Sequence, residues 1–419
     1  MLDIKFIREN EKAVKKAIKD KGMELELGEL LDVDEKRRKL QNEIDEQRSE
    51  LKKSSKAKPG PEEIEKLKKL GDAIKEDEAK FAKLENEFRE LMLIVPNIPS
   101  ADSPIGGEKD FIVVDEWGEK PEFDFDIKDH IELGKSLDIL DLERGVKVAG
   151  FRGYFLKNEG LLMHLGLMNL ALKKLIEKGF TPMQTPTMVK EFALVGSGHF
   201  PFGRQEIYEV EEFNDKVKEV KYLAGTAEPS LLAYHADEVL DIKQLPIKLC
   251  GISPCYRREV GGYGKDTRGI YRVHEFMKVE QVVICKADLE ESEKLFLEIN
   301  NSARELLREL ELPHRVIQIA TGDMGAGKYK MYDIESWFPA RKAYGETHSN
   351  SNLTDWQARR LNIRYREKNE TKFAFTLNNT MIASPRILIA LLENNQQEDG
   401  SIKIPKVLQE FVGKEVISR

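Results

Sequence analysis

The chain predicts an α+β fold that carries an N-terminal antiparallel helical coiled-coil arm. Three observations predict it. Two runs of the first hundred residues repeat apolar positions at heptad spacing, with a Pro59-Gly60-Pro61 break between them. A proline-, serine- and glycine-rich segment over 94–107 then marks a boundary. Beyond it, helical runs at 161–178 and 289–310 alternate with β-branched, strand-like runs at 247–252, 278–284 and 315–320.

The arm comes first in the chain. A short helix is expected over 7–20. Leu30, Val33, Leu40, Ile44 and Leu51 form the first heptad run, and Ile64, Leu67, Ile74, Phe81, Leu84, Phe88 and Leu91 the second. Lysine and glutamate fill the other faces, as a two-helix seam requires. Proline cannot continue a helix, so the break turns the chain back on itself. Lys52, Lys53, Lys56 and Lys58 cluster at the tip with no acid between them, so the arm presents basic charge at its far end, where phosphates could be met. From pattern alone, a dimerisation or spacer arm with a solvated tip accounts for the same residues. The expected domains are 1–105 and 106–419.

Composition narrows the function. The 419 residues carry a formal net charge of -8, so the chain has no general pull toward polyanions and any such partner needs a local basic surface. The 34% charged fraction fits a long charged helix pair. Cys250, Cys255 and Cys285 form no C-x-x-C pair, which argues against a disulfide framework or a zinc ribbon and for buried thiols in a reducing cytosol. The N-terminus has acids in its first turns and no apolar h-region, and no run is long and apolar enough to span a membrane; the expectation is a soluble, cytoplasmic protein.

The chemistry concentrates in CYRREVGGYGKDTRGIYRVHEF, residues 255–276. Its glycines fit neither G-x-x-x-x-G-K-[ST] nor G-x-G-x-x-G. The glycine-rich 322–328 segment likewise lacks phosphate-loop spacing and reads as a plain loop. With strands over 249–257 and 271–283, Arg257 and Arg272 fall near one end of neighbouring antiparallel strands. Arginine forks stay charged when desolvated and bind phosphate bidentately, which suits a nucleoside triphosphate. A salt-bridge network with Glu259, Asp266 and Glu275 would explain them equally well. Thr226-Ala227-Glu228, Glu280, the polar run 346–352, Asn378-Asn379-Thr380 and Arg386 are further polar clusters in apolar or strand-like surroundings. Buried, Glu228 and Glu280 would each need a cation, either a substrate ammonium or an arginine. Glu346 and the residues after it could hold magnesium, which favours one or two carboxylates plus phosphate oxygens.

TAE, then YRRE with DTRGIYRVHEF, then KVE, SNLTDWQARRLNIR, TLN and a helix carrying arginine follow one another in an order that resembles the seryl-tRNA synthetase family, over essentially the whole chain. The resemblance implies the class II fold, an antiparallel sheet of six or more strands flanked by helices. It implies a homodimer whose interface uses Pro186, and a two-step reaction in which serine and ATP give seryl-adenylate before transfer to the 3′ end of tRNA(Ser). The family also charges tRNA(Sec) where an organism has one. By position, Arg257, Glu346 and Arg386 would be catalytic. Arg257, Arg258, Glu259, Arg272, Phe276, Glu346, Thr347, His348, Ser349 and Arg386 would surround ATP. Thr226, Ala227, Glu228, Arg257, Glu280, Asn378 and Thr380 would bind serine, with Glu280 on the ammonium. Glu346 and Ser349 would hold Mg2+, and no zinc is expected. The arm, with Lys52, Lys53, Lys56 and Lys58, would grip the tRNA. The glycine loop would let the backbone flex near the acceptor end.

The chain departs from the family pattern at Arg258, where a serine is common, at Asn379-Thr380-Met381 and at Pro385; none of these removes a charge that the chemistry needs. A ligase loading amino acids onto carrier proteins would lack the arm. A catalytically silent RNA-binding relative would lack Arg257, Glu280 or Arg386.

Overall fold

The computed structural model describes residues 1–54, 60–211, 220–260 and 268–419. The chain divides into two units, Met1–Pro96 and Asn97–Arg419.

The first unit is helical. Where one helix was expected over 7–20, there are two, α1 (Ile4–Glu9) and α2 (Glu11–Asp20), separated at Asn10. The Asp3 carboxylate caps α1 by accepting from the Lys5 amide at 2.8 Å. The hairpin consists of α3 (Leu27–Ser54) and α4 (Pro61–Ile94). Pro61 opens α4, where its missing N–H costs nothing. Leu30, Val33 and Ile44 of α3 and Ile74 of α4 are buried along the seam. Polar pairs set the antiparallel register: Arg37 meets Glu85 at 2.9 Å, Gln47 meets Asp77 at 3.1 Å and Arg48 meets Glu78 at 2.7 Å. Of the tip lysines, Lys52 and Lys53 are exposed in the last turn of α3, while Lys56 and Lys58 lie outside the described residues.

The second unit is built on an eight-stranded sheet. Its strands are β1 (Ile112–Trp117), β2 (Thr181–Gln184), β3 (Ile247–Tyr256), β4 (Glu275–Cys285), β5 (His314–Gln318), β6 (Lys330–Phe338), β7 (Ala343–Thr354) and β8 (Phe375–Ser384). Their spatial order is β1-β5-β6-β7-β8-β4-β3-β2, antiparallel except for the edge pair β2–β3. The central strands β4 and β8 are buried over nearly their whole length, as their apolar and β-branched residues require. Helices α5 (Asn158–Glu177), α6 (Leu289–Glu309) and α7 (Arg386–Asn394) join the sheet in one core through Leu167, Phe296, Ile299 and Leu388. Burying each such side chain contributes about 1.5–3 kcal/mol of transfer free energy.

The division at 96/97 lies upstream of the expected 105/106. Asn97 ties the start of the second unit down, its amide donating to Gly327 O at 3.1 Å, Leu353 O at 2.9 Å and Thr354 Oγ1 at 3.1 Å. Strand β4 begins at Glu275 rather than at the expected 271. Before that point the backbone has other partners: the Ile270 N–H donates to His130 Nε2 at 3.3 Å, and Tyr271 O accepts from Arg386 Nε at 3.1 Å.

Candidate active site

A cleft of about 200 Å³, partly open to solvent, lies over the sheet where β3, β4, β7 and β8 run side by side. Side chains alternate along a strand, so Phe276, Lys278 and Glu280 of β4 all reach it, joined by Asn378 and Thr380 of β8. Glu280 stands opposite Gly251 on β3 and Thr380 on β8. Gly251 makes room for the Thr226-Ala227-Glu228 segment, since a Cβ there would lie 2.8 Å from that of Ala227.

Two buried carboxylates sit at this end of the cleft, and each is satisfied differently from expectation. Among the described residues, Glu228 forms no ion pair. Its Oε1 accepts from the side-chain amides of Gln357 at 2.6 Å and Asn378 at 2.8 Å, and two neutral donors suffice for one oxygen. Glu280 is paired with Lys278 at 2.5 Å, both side chains being almost wholly buried. Burial pushes the Glu280 carboxyl upward and Lys278 pulls it back. His199 also lines the cleft; burial pulls its imidazole down to about 4, so it stays neutral at physiological pH.

The other end is cationic. Arg257 Nε donates to Gly225 O at 3.4 Å, and its guanidinium lies 5.3 Å from the centre of the Phe276 ring. Arg272 pairs with Glu259 at 3.0 Å, so a salt bridge forms there and both partners still line the cleft. Arg386 heads α7 and pairs with Glu346 at 3.2 Å. The 322–328 loop, read from sequence as a plain connection, brings Lys328 to the cleft.

The residues expected to hold magnesium pass a chemical test of fit. Glu346 and Ser349 both line the cleft. Asp333 of β6 is the cross-strand neighbour of Ser349, and its Oδ1 is buried with no hydrogen-bond partner. Burial, with the nearby Glu346 charge added to it, holds the Asp333 carboxyl well above its usual range. Two carboxyl groups that disfavour each other's charge, one with an orphaned oxygen, suit a divalent cation that would ionise both and share its shell with phosphate oxygens. Among the described residues, no group of three or more His, Cys, Asp or Glu is arranged to hold a metal by itself.

Three expected site residues do not line the cleft. Ala227 is buried in a core cluster with Leu231. The backbone N–H of Arg258 donates to Glu206 O at 2.9 Å. His348 is buried beneath β7, with Nδ1 2.9 Å from Thr347 Oγ1 and a pKa pulled down to about 3 by burial, although its neighbour Thr347 reaches the cleft. A β-bulge between the Ile334–His348 and Glu335–Glu346 pairs lets Glu346 and Thr347 both reach the cleft, and the alternation beyond it turns Ser349 toward the cleft and His348 away. The 261–267 glycine loop, including Asp266, lies outside the described residues. Sequence reading missed His199, Lys278, Lys328 and Asp333. Lys278 was detectable in principle, two residues from Glu280 on the same face; Lys328 and Asp333 become visible only once β6 is paired with β7.

Residues 1–99 match the seryl-tRNA synthetase N-terminal domain, and residues 208–395 match the tRNA synthetase class II core domain (G, H, P, S and T). The chain is 44% identical to a serine–tRNA ligase of Deinococcus radiodurans, with 100% of this chain and 99% of the relative covered. It is 42% identical to one of Corynebacterium kroppenstedtii at the same coverage. Among solved structures, the seryl-tRNA synthetase of Pyrococcus horikoshii complexed with ATP superposes with a TM-score of 0.91 at 39% identity, covering 100% of this chain and 99% of that one. The cytoplasmic serine–tRNA ligase of Naegleria fowleri in complex with AMP superposes with a TM-score of 0.88 at 30% identity, also covering 100% and 99%.

Proposed function

This chain belongs to the seryl-tRNA synthetase family and is a class II serine–tRNA ligase, and we propose that the cleft over β4 and β8 holds serine at its acidic end and ATP at its arginine end. The observation that carries this assignment is the shared opening of buried Glu280 and the three arginines Arg257, Arg272 and Arg386 onto one cleft.

The serine carboxylate attacks the α-phosphorus of ATP; a P–O bond forms, and pyrophosphate leaves with the electron pair of the bond that breaks. No group needs to lose a proton to a protein base, so catalysis rests on positioning and charge neutralisation. Arg257 draws the carboxylate and the α-phosphate together. Arg386 and Arg272 take the outer phosphates, Glu259 contacts the adenine amino group and Phe276 covers the ring. Glu346, Ser349 and Asp333 would hold magnesium, which supplies further neutralisation of phosphate charge when bound. Glu280 receives the serine ammonium. Thr226 and Glu228 complete that end, and Thr380 and Asn378 lie toward the hydroxyl. A site that hydrogen-bonds the hydroxyl rejects alanine, and small volume excludes threonine.

The arm grips the long variable arm of tRNA(Ser), with the basic tip contributing phosphate contacts. The protein works as a cytoplasmic homodimer through the Pro186 region. ATP–pyrophosphate exchange measured with each amino acid tests the activation half of the reading. Exchange with serine alone is expected, and exchange with another amino acid would overturn the assignment of the acidic end.

A further inference from the structure

We propose that His130, oriented by Glu393, is a positioning residue for the triphosphate end of the cleft, acting through the backbone at 269–272. The proposal rests on the assignment of Arg272 and Arg386 to ATP.

Neither His130 nor Glu393 lines the cleft, yet both are buried, with 8% and 1% of their surface exposed. Glu393 Oε1 accepts from the His130 backbone N–H at 3.2 Å and lies 3.1 Å from His130 Nδ1. The other ring nitrogen, Nε2, accepts from the Ile270 N–H at 3.3 Å. An acceptor at Nε2 puts the ring proton on Nδ1, where Glu393 receives it. The ring thus has one orientation and one tautomer, and its outward lone pair holds a single backbone amide.

That amide sits where the chain returns from the 261–267 segment to β4. One residue later, Tyr271 O accepts from Arg386 Nε, and the Tyr271 ring lies 4.5 Å from the Arg386 guanidinium and 4.4 Å from that of Arg341. One residue further, Arg272 meets Glu259. Glu393 Oε2 also accepts from the Ala340 N–H at 3.2 Å, next to Arg341. Arg386 and Glu393 belong to the same helix, α7. The contacts therefore close a ring: Arg386 holds Tyr271 at one end of α7, and Glu393, through His130, holds Ile270 at the other. The spacing between Arg272 and Arg386 is fixed by this ring. Gly269 fits the same design. It adopts φ +66, and a Cβ there would lie 2.0 Å from His130 Nε2, so only glycine lets the ring reach the amide.

The experiment is ATP–pyrophosphate exchange with serine, read as separate KM values for ATP and serine, in the full-length protein. His130→Ala is expected to raise the ATP KM about tenfold, as loss of one buried hydrogen-bond acceptor predicts, with the serine KM changed less than about twofold. His130→Gln, whose Oε1 can stand in for Nε2, is expected to recover most of the loss. Gly269→Ala is expected to raise the ATP KM as His130→Ala does, by the clash with the ring and by strain at its positive φ, and the two together to be less than additive, because only the strain persists once the ring is gone. Equal rises in both KM values, no recovery with glutamine, or full additivity would overturn the proposal. If His130→Ala does not fold, Gly269→Ala and His130→Gln decide it alone: an ATP KM unchanged by Gly269→Ala overturns it. If Arg272→Ala and Arg386→Ala leave the ATP KM unchanged, the ATP assignment itself fails, which is a separate result.

Discussion

The buried pair Lys278–Glu280 decides how serine binding depends on pH. Only an ionised Glu280 can pair with an ammonium. Burial raises its pKa and Lys278 lowers it, burial being the larger effect. Serine affinity is therefore full above this raised pKa and lost as pH falls through it, at a higher pH than an ordinary carboxylate would give. Removing Lys278 leaves burial opposed only by the weaker Lys328 charge, so Lys278→Met is expected to move the loss to still higher pH without moving the pH profile of the ATP KM; coincident serine profiles for variant and parent would refute this. Glu280→Ala removes the charge-assisted contact altogether, expected at about 2–3 kcal/mol, or roughly 30- to 160-fold in serine KM. ATP KM should change several-fold less, and an unchanged serine KM would remove Glu280 from the ammonium role. At this scale the sequence was legible by residue type but not by direction. Glu280, Arg257 and Arg386 announced themselves as charges in apolar runs. That Lys278 would answer Glu280, that amides would answer Glu228, and that His348 would point inward depended on strand alternation and on Gln357, which is far away in sequence.

Among the elements, the arm was the most legible, because heptads report a helix seam without long-range information. Its base holds a feature that the heptads do not show. Asp34 is fully buried in α3 and is met by Arg8 at 3.6 Å, Arg37 at 3.2 Å and Arg38 at 3.0 Å. One carboxylate thus joins α1 to α3, and Arg37 goes on to α4 through Glu85 and the Phe88 ring 4.2 Å away. Asp34→Ala is expected to destabilise the helical unit by about 1–3 kcal/mol, measured by denaturant unfolding of the full chain, since it removes the buried carboxylate that three arginines share, although Arg37 keeps Glu85; a change below a few tenths would mean that these pairs are solvent-screened. For function, deleting 33–91 should abolish charging of tRNA(Ser) while serine-dependent exchange continues. Charging that survives the deletion would leave the arm without its proposed role. The glycine loop and the outer two tip lysines, Lys56 and Lys58, lie outside the described residues.

For the molecule as a whole, the class II sheet could be expected from motif order, but its outer surface could not, because exposure is a property of the assembled layers. Val148 is 73% exposed, Phe151 64% and Leu165 46%, and Leu161 and Leu162 share the outward face of α5 with Leu165. Exposed apolar side chains of this kind fit an association surface, which the proposed homodimer would cover. The next residue inward on α5 connects that face to the chemistry. His164 is buried, its pKa lowered by burial, with Nδ1 2.8 Å from Ser384 Oγ. Ser384 lines the cleft beside Pro385 and Arg386. If the proposed homodimer holds the outer face of this helix, its inner face reaches the root of α7, and association and activation should be coupled. The double variant Phe151→Asp, Leu165→Asp is expected to run at half the parental mass in sedimentation and to keep a cooperative unfolding transition, because neither side chain belongs to the buried core. Its exchange rate should fall at least about tenfold, the scale of a one-hydrogen-bond misplacement at the phosphate end. A variant that keeps the parental mass would rule this face out as the interface. A stable half-mass species with the parental exchange rate would keep the interface but break its link to the cleft.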